Sequence, residues 1–270
     1  MINFLFWNIN RKPLQSCIAR LTAQHNVNLI ILAESEIAPE VMLDALYQQT
    51  GLEFYLTFSF CEKITIYLSF PAQLLTSFRE TERLTIRRLA LLGLPEILIA
   101  ATHFPSKLYW SAESQALECS RLAETIRDAE REIGHSRTLL VGDLNMNPFE
   151  SGIVGALGLH GVMTRQIAEK RQRIVQGVEY PFFYNPMWGQ FGDLTQGAAG
   201  TYYEHRTEHV SYFWNMFDQV LLRPELLPYF QNENLNILTH DGEMSLVSDS
   251  GLPDDTLASD HLPILFSLNV

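Results

Sequence analysis

Cysteine is scarce in this chain. Cys17, Cys61 and Cys119 are the only three in 270 residues, too few and too scattered for a disulfide framework and without metal-binding spacing. They read as buried thiols of a reducing compartment. Basic residues are scarce as well: 19 Lys and Arg stand against 31 Asp and Glu, a net charge of −12. That balance argues against a broad basic face that coats nucleic acid, because neutralising phosphates needs Lys and Arg. It leaves room for a small anionic substrate, whose charge a metal ion can offset locally. No apolar run is long enough to cross a bilayer. The apolar start, Met1 to Trp7, has no basic region before it and is short for a signal peptide. The expectation is a cytoplasmic protein with no membrane attachment, and nothing points to a protein partner.

What is present is ample apolar material. At 47% hydrophobic residues the chain can build one extensive core. No repeat, low-complexity segment or linker divides it, so residues 1–270 are expected to form a single domain. Strand-like runs are Asn3–Ile9, Val27–Ala33, Glu53–Ser59, Ile64–Phe70, Leu84–Leu92, Ile97–His103, Thr138–Val141, Phe217–Leu222 and Leu262–Leu268. Helical spacing covers Leu14–Gln24, Pro39–Thr50 and Glu113–Ile133, the last with Leu122, Ile126, Ala129 and Ile133 on one face. Mixed sheets packed face to face with helices outside accommodate this order. The stretch 161–212 differs in texture, with a basic cluster (Arg165, Lys170, Arg171, Arg173) and an aromatic, glycine-rich run. It reads as a long elaborated loop region, and loops of that length are usually functional.

Two acidic motifs end apolar runs: Gly142-Asp143-Leu144-Asn145 after Thr138–Val141, and Ser259-Asp260-His261 before Leu262. Each places a carboxylate where a strand runs out into a loop, the usual seat of catalytic groups. Carboxylates beside an Asn and a His suit metal-assisted attack of water on a phosphate. Asn8, Glu34 and His103 also close predicted strands, and Asp218 opens one. Singly, each has a plain structural explanation. Asp218 stands inside an apolar run, where a charge is costly unless paired, so it demands a partner.

In this order, the segments WNIN, LAES, ATHF, GDLN, FDQV and SDH, spanning residues 7 to 261, resemble the endonuclease/exonuclease/phosphatase superfamily, the group of deoxyribonuclease I. GDLN and SDH are its more specific motifs. The resemblance implies an α+β fold, a four-layer α/β/β/α sandwich of two packed mixed sheets flanked by helices, with the active site at one end. It implies Mg²⁺ (or Mn²⁺) bound by Glu34, with Asn8 nearby and Asp260 contributing. Asp143 would orient and deprotonate the attacking water, and Asn145 would hold Asp143 or the phosphate. His261 would face the phosphoryl oxygens, with Asp218 on its other ring nitrogen. His103 would be a second phosphate contact, with Glu62 as its possible orienter.

The chain departs from the abasic-site exonucleases, which carry Gln-Glu where this chain has Ala33-Glu34 and a Tyr-containing segment where it has His103. That disfavours abasic-site repair, and no stretch matches the extended signatures of the inositol phosphatases.

Substrate contacts are expected from Asn10 and from the 161–212 region. There the basic cluster could hold further phosphates, and Tyr184, Trp188, Tyr202 or Trp214 could stack on a base. Arg206 and His209 are candidates for the same pocket, and the acidic run Asp249–Asp260 flanks it. Three functions compete: a Mg²⁺-dependent phosphodiesterase of nucleic acid, a phosphatase or phosphodiesterase of a small phosphorylated molecule, and an inactive binding module. Retention of Asp143, Glu34 and His261 argues against the third.

Overall fold

The computed structural model describes residues 1–193, 197–207 and 209–270. Its first half runs β1 (Ile2–Asn8), α1 (Gln15–Gln24), β2 (Leu29–Ala33), α2 (Pro39–Thr50), β3 (Tyr55–Leu56), β4 (Ile64–Leu68), β5 (Leu75–Glu80), β6 (Leu84–Leu89), β7 (Ile97–His103), α3 (Ala112–Ile133) and β8 (Thr138–Asp143). Shorter pieces follow. They are α4 (Ser151–Val154), β9 (Gly161–Val162), α5 (Arg165–Ala168), β10 (Gln172–Val175), β11 (Val178–Pro181), β12 (Phe183–Tyr184), β13 (Tyr202–Tyr203) and β14 (Trp214–Asn215). The chain closes with β15 (Asp218–Leu222), β16 (Asn236–Ile237) and β17 (Ile264–Leu268).

Two large mixed sheets dominate. One has the order β16-β17-β1-β2-β4-β3 and the other β5-β6-β7-β8-β15-β12-β9. Period-two alternation sorts each central strand between two cores. From β1, Phe4 and Phe6 enter the space between the sheets, where Ile31, Ile66, Ile99, Val141 and Phe266 also lie. Leu5 and Trp7 point the other way, against Ile18 and Leu21 of α1 and Met42 and Leu46 of α2. On the second sheet Leu98, Leu140 and Leu221 face Cys119, Leu122 and Ile126 of α3. The result is an α/β/β/α sandwich, as expected from the resemblance.

The helices are defined by local chemistry. Ser111 caps α3 by accepting from the Ser114 N–H, and Gly134 ends it in the left-handed region. Pro39 opens α2, and left-handed Gly51 closes it.

Three elements differ from the sequence expectation. Within Glu53–Ser59 only Tyr55–Leu56 forms a strand, and Thr57 adds one further backbone bond to the Ile66 carbonyl. Leu75–Glu80 is an unexpected edge strand whose ladder is broken by a register shift between Ser77 and Arg79, which erases the alternation a sequence would show. Part of 161–212 is ordered into short strands, two of which, β9 and β12, extend the seven-stranded sheet.

Registry brings the acidic motifs to one end of the sandwich. β1 and β2 run parallel with Asn8 opposite Ala33, so Glu34 follows directly beside Asn8. β7 and β8 run parallel with His103 opposite Asp143, while β15 runs antiparallel and starts with Asp218 opposite Asp143. β17 is antiparallel to β1, so Asp260 and His261 arrive at the same end just before it. Two hydrogen bonds tie that approach to β1: Trp7 Nε1 donates to the His261 carbonyl at 2.8 Å, and Ser259 Oγ donates to the Asn8 carbonyl at 2.8 Å.

Candidate active site

Asp143 is the centre of the cluster, and only 1% of it is exposed. Both its oxygens are held. Asn8 Nδ2 donates to Oδ2 at 2.9 Å, and the Asn145 backbone N–H donates to Oδ1 at 2.9 Å. Asn145 reaches that position through a left-handed turn, φ 48°, and its Nδ2 donates to the Phe104 carbonyl at 3.0 Å. Asn10, Arg11 and Glu34 also adopt positive φ at 43°, 59° and 51°. Such conformations cost about 1–3 kcal/mol each in non-glycine residues and cluster at functional sites.

His103 Nε2 lies 3.3 Å from Glu34 Oε1 and 3.5 Å from Asp143 Oδ2, which joins the two carboxylates across the sheets. Its buried Nδ1 has no hydrogen-bond partner among the described residues, and exposed Glu62 does not orient it. Glu34 also faces Arg11, whose Nε is 3.6 Å from its Oε2. Asp260 Oδ1 accepts from Asn10 Nδ2 at 3.0 Å.

The second buried carboxylate, Asp218, meets His261 Nδ1 at 2.8 Å through its Oδ2. This is the partner its apolar strand requires. Burial pushes the Asp218 carboxyl up in pKa, against the pull of His261. Burial alone would lower the His261 ring, but Asp218, Asp143 and Asp260 push it up to about 10. At that value the ring is protonated at neutral pH, so Nε2 carries a hydrogen and is a donor. That nitrogen lies 3.9 Å from Asp143 Oδ2. The Tyr202 ring packs on His261 with centroids 4.7 Å apart and completes the wall.

These groups open onto a cleft of about 350 Å³. Arg11, Lys63, Arg83, Lys107 and Arg206 line it, against the carboxylates of Glu34, Asp143, Glu204 and Asp260. A strongly acidic chain has therefore gathered five basic side chains against four carboxylates here, close to balance where the chain as a whole is acidic. Ligand-type atoms of Asp143, Asp218 and His261 lie within 4.8 Å of one another, the one such trio among the described residues. Glu34, Asp260, Asn8 and Asn10 add carboxylate and amide oxygens on the same cleft. An oxygen-rich set of this kind suits a hard divalent cation.

No protein-family model matches the sequence, and no curated protein sequence matches it. Solved structures do match its fold along the whole chain. An endonuclease/exonuclease/phosphatase family protein from Leptotrichia buccalis superposes with a TM-score of 0.58 at 14% identity, covering 100% of both chains. TDP2 from D. rerio, in complex with a single-strand DNA product, gives 0.57 at 14% identity, covering 100% of this chain and 99% of that one. The endonuclease domain of TRAS1, a telomere-specific non-LTR retrotransposon, gives 0.53 at 14% identity, covering 100% and 99%. The chain has the endonuclease/exonuclease/phosphatase fold.

Within this fold the sequence candidates divide. Asn8, Asn10, Glu34, His103, Asp143, Asn145, Arg206, Asp260 and His261 line the cleft, as does Tyr202, with Asp218 buried behind His261. Arg206 is tethered to Glu204 at 2.7 Å. Tyr184, Trp188 and Trp214 do not line it. Tyr184 belongs to the core between the sheets, its hydroxyl donating to Asn232 Oδ1 at 2.9 Å. Trp188 packs beside Phe149, with centroids 6.3 Å apart, and Trp214 beside Tyr203, at 5.5 Å. His209 is exposed and does not line the cleft either.

The basic cluster is likewise elsewhere. Arg165 donates to the carbonyls of Leu227 and Phe230 at 2.7 and 2.9 Å. Arg171 faces Glu225 at 3.5 Å, and Arg173 Nε donates to His160 Nε2 at 2.7 Å. These guanidiniums fasten the second half of the chain to itself. Arg83, Lys63 and the turn Lys107-Leu108-Tyr109-Trp110 also line the cleft, though no motif in the sequence points to them. Their signal was weak, because the turn reads as the apolar lead-in to α3.

Proposed function

We propose that this chain is a Mg²⁺- or Mn²⁺-dependent phosphodiesterase that hydrolyses nucleic acid by attack of water on phosphorus. The carrying observation is Asp143, a buried carboxylate fixed by Asn8 and Asn145 between two imidazoles and open to a cleft with a basic lining. Asp143 accepts the proton of the attacking water as the water oxygen bonds to phosphorus. The P–O bond to the opposite ester oxygen breaks, that oxygen leaving as a hydroxyl after taking a proton from water. Asn8 and the Asn145 N–H hold the Asp143 oxygens in place. His261 Nε2–H donates to a phosphoryl oxygen and stabilises the charge that develops there. Asp218 keeps that ring oriented and supplied with its proton. His103, between Glu34 and Asp143, faces the same phosphate. Glu34 and Asp260, with Asn8, would hold the divalent ion, which supplies charge neutralisation at the scissile phosphate when bound. Because Asp218 already occupies His261 Nδ1, the oxygen ligands Glu34, Asp260 and Asn8 are the residues that would hold the ion.

Fold neighbours support a nucleic-acid substrate, since two of them are a nuclease domain and a protein bound to a single-strand DNA product. The basic groups around the cleft support it as well, as contacts for flanking phosphates. One observation favours a small phosphorylated molecule instead: the net charge of −12 repels a long polyanion beyond the cleft.

The test is product release from single- and double-stranded DNA, RNA, dinucleotides and inositol phosphates, with Mg²⁺ and with EDTA. Metal-dependent cleavage of an oligonucleotide is the expected outcome. Turnover confined to a small phosphate ester would favour the second reading, and no turnover with no Mg²⁺ binding would leave a binding module.

A further inference from the structure

The segment between His103 and the α3 cap Ser111 carries three apolar side chains to the surface. Leu108 is 71% exposed, Tyr109 86% and Trp110 37%. All three line the cleft that holds Asp143. Exposed aromatics on a folded surface forgo the gain of burial, and a cluster of them marks a binding site.

This cluster stands on a fixed base. Tyr109 N–H donates to the Ser106 carbonyl at 3.2 Å, which closes a turn. Gln115 Nε2 reaches back from α3 to the Pro105 carbonyl at 2.9 Å. Lys107 pairs with Glu150 and lies 5.3 Å from the Phe217 ring centre. The turn is thus anchored at both ends, while its aromatic tip stays free. Basic side chains, Arg83 and Lys63 among them, line the same cleft.

We propose that Tyr109 and Trp110 are a stacking platform for a nucleobase adjoining the phosphate held at Asp143, and that the substrate is therefore single-stranded or frayed nucleic acid. This rests on the phosphodiesterase reading above. Aromatic faces combined with a basic groove are how proteins hold single strands without reading sequence. Bases inside a duplex are stacked on each other and must be extruded before a side chain can take a face. A small alkyl phosphate offers no face at all.

Two readouts separate this inference from the reading beneath it. The first is kcat/KM on a single-stranded oligonucleotide, on the same strand with an abasic residue beside the cleaved bond, and on the duplex. The second is binding of the labelled single strand in EDTA, where hydrolysis is not required. The wild type should favour the base-bearing single strand over both alternatives by about tenfold or more, within the range base stacking supplies. Tyr109→Ala and Trp110→Ala should erode that preference and weaken binding, while Trp110→Phe, which keeps a face, restores most of it. Cleavage indifferent to the base, or to these variants, overturns the platform and leaves the phosphodiesterase standing. Absence of cleavage with Trp110-dependent binding intact sinks the hydrolase and keeps the platform. Single-strand binding that is absent, or equal in all variants, overturns the platform outright.

Discussion

Asp143 and Asp218 are register partners on adjacent antiparallel strands, and His261 bridges the space between their carboxylates, 2.8 Å from Asp218 and 3.9 Å from Asp143. Their surroundings assign them opposite duties. Asp218 is fully buried and committed to the ring. Asp143 receives two donors and keeps an edge open to the cleft. In the proposed mechanism one imidazole thus turns the charge of a buried carboxylate into a directed N–H donor beside the general base.

Replacing Asp218 by Asn removes the negative charge that faces His261, leaves a neutral amide able to present either a donor or an acceptor to the ring, and lowers the proton affinity of the pair. Activity on the cleaved substrate should fall about 10²-fold or more in kcat, the range for a displaced donor to developing charge. Steady-state kinetics, with circular dichroism as the control for folding, checks this. A loss of only a few-fold would mean that His261 needs no orienter.

The His261 ring should remain protonated through neutral pH. Against its burial, Asp218, Asp143 and Asp260 hold it up at about 10, above the ordinary histidine value of 6.5. The stabilisation linked to that shift is therefore complete below pH 6.5 and is lost as pH rises through 10. A ¹⁵N-edited NMR titration should place the wild-type transition far above neutrality, and Asp218→Asn should bring it down towards 6.5. A wild-type midpoint near 6.5 would contradict the electrostatics described above.

Gly142 explains why a glycine precedes Asp143. A Cβ built there would sit 2.0 Å from the Thr102 carbonyl oxygen on the paired strand β7. Backbone cannot yield as a side chain does, so Gly142→Ala should cost about 3 kcal/mol and move Asp143 with it. Urea denaturation should show a lower midpoint. A shift within experimental error would mean the two strands part without cost.

How far the sequence spoke depended on packing. The bounds Pro39–Thr50 and Ile97–His103 are those expected, because one carries Pro at its start and helical spacing throughout, and the other is an unbroken apolar run ending in His103. Leu75–Glu80 escaped, since an edge strand with a bulge has no alternation to read. The groups gathered around Asp143 were legible because each ends or begins a strand. The substrate surface was not: Arg165 and Tyr184 look like ligand contacts in a sequence, yet one clamps carbonyls and the other fills the core. The cleft aromatics were hidden for the converse reason, because Tyr109 and Trp110 resemble the start of an amphipathic helix until the fold leaves them uncovered.

Away from the cleft, Asp241 sets a limit on acid stability. Burial alone would raise its pKa, but Arg20 Nε at 3.0 Å and the N–H groups of Glu243 and Met244 bring it down to about 2. Its contribution, about 2 kcal/mol, is full above pH 3.8 and disappears as pH falls through 2. Asp241→Asn should therefore lower stability at pH 7 and make little difference at pH 2. A pH-independent difference would rule out this linkage.

The most direct test of the central claim is to follow oxygen. A single-stranded oligonucleotide is cleaved in H₂¹⁸O with Mg²⁺ by the wild type and by Asp143→Asn, and the products are weighed by mass spectrometry. The account predicts one ¹⁸O on each new phosphate terminus from the wild type, and product at least about 10²-fold slower from the variant. Unlabelled product, or a variant as fast as the wild type, would contradict it.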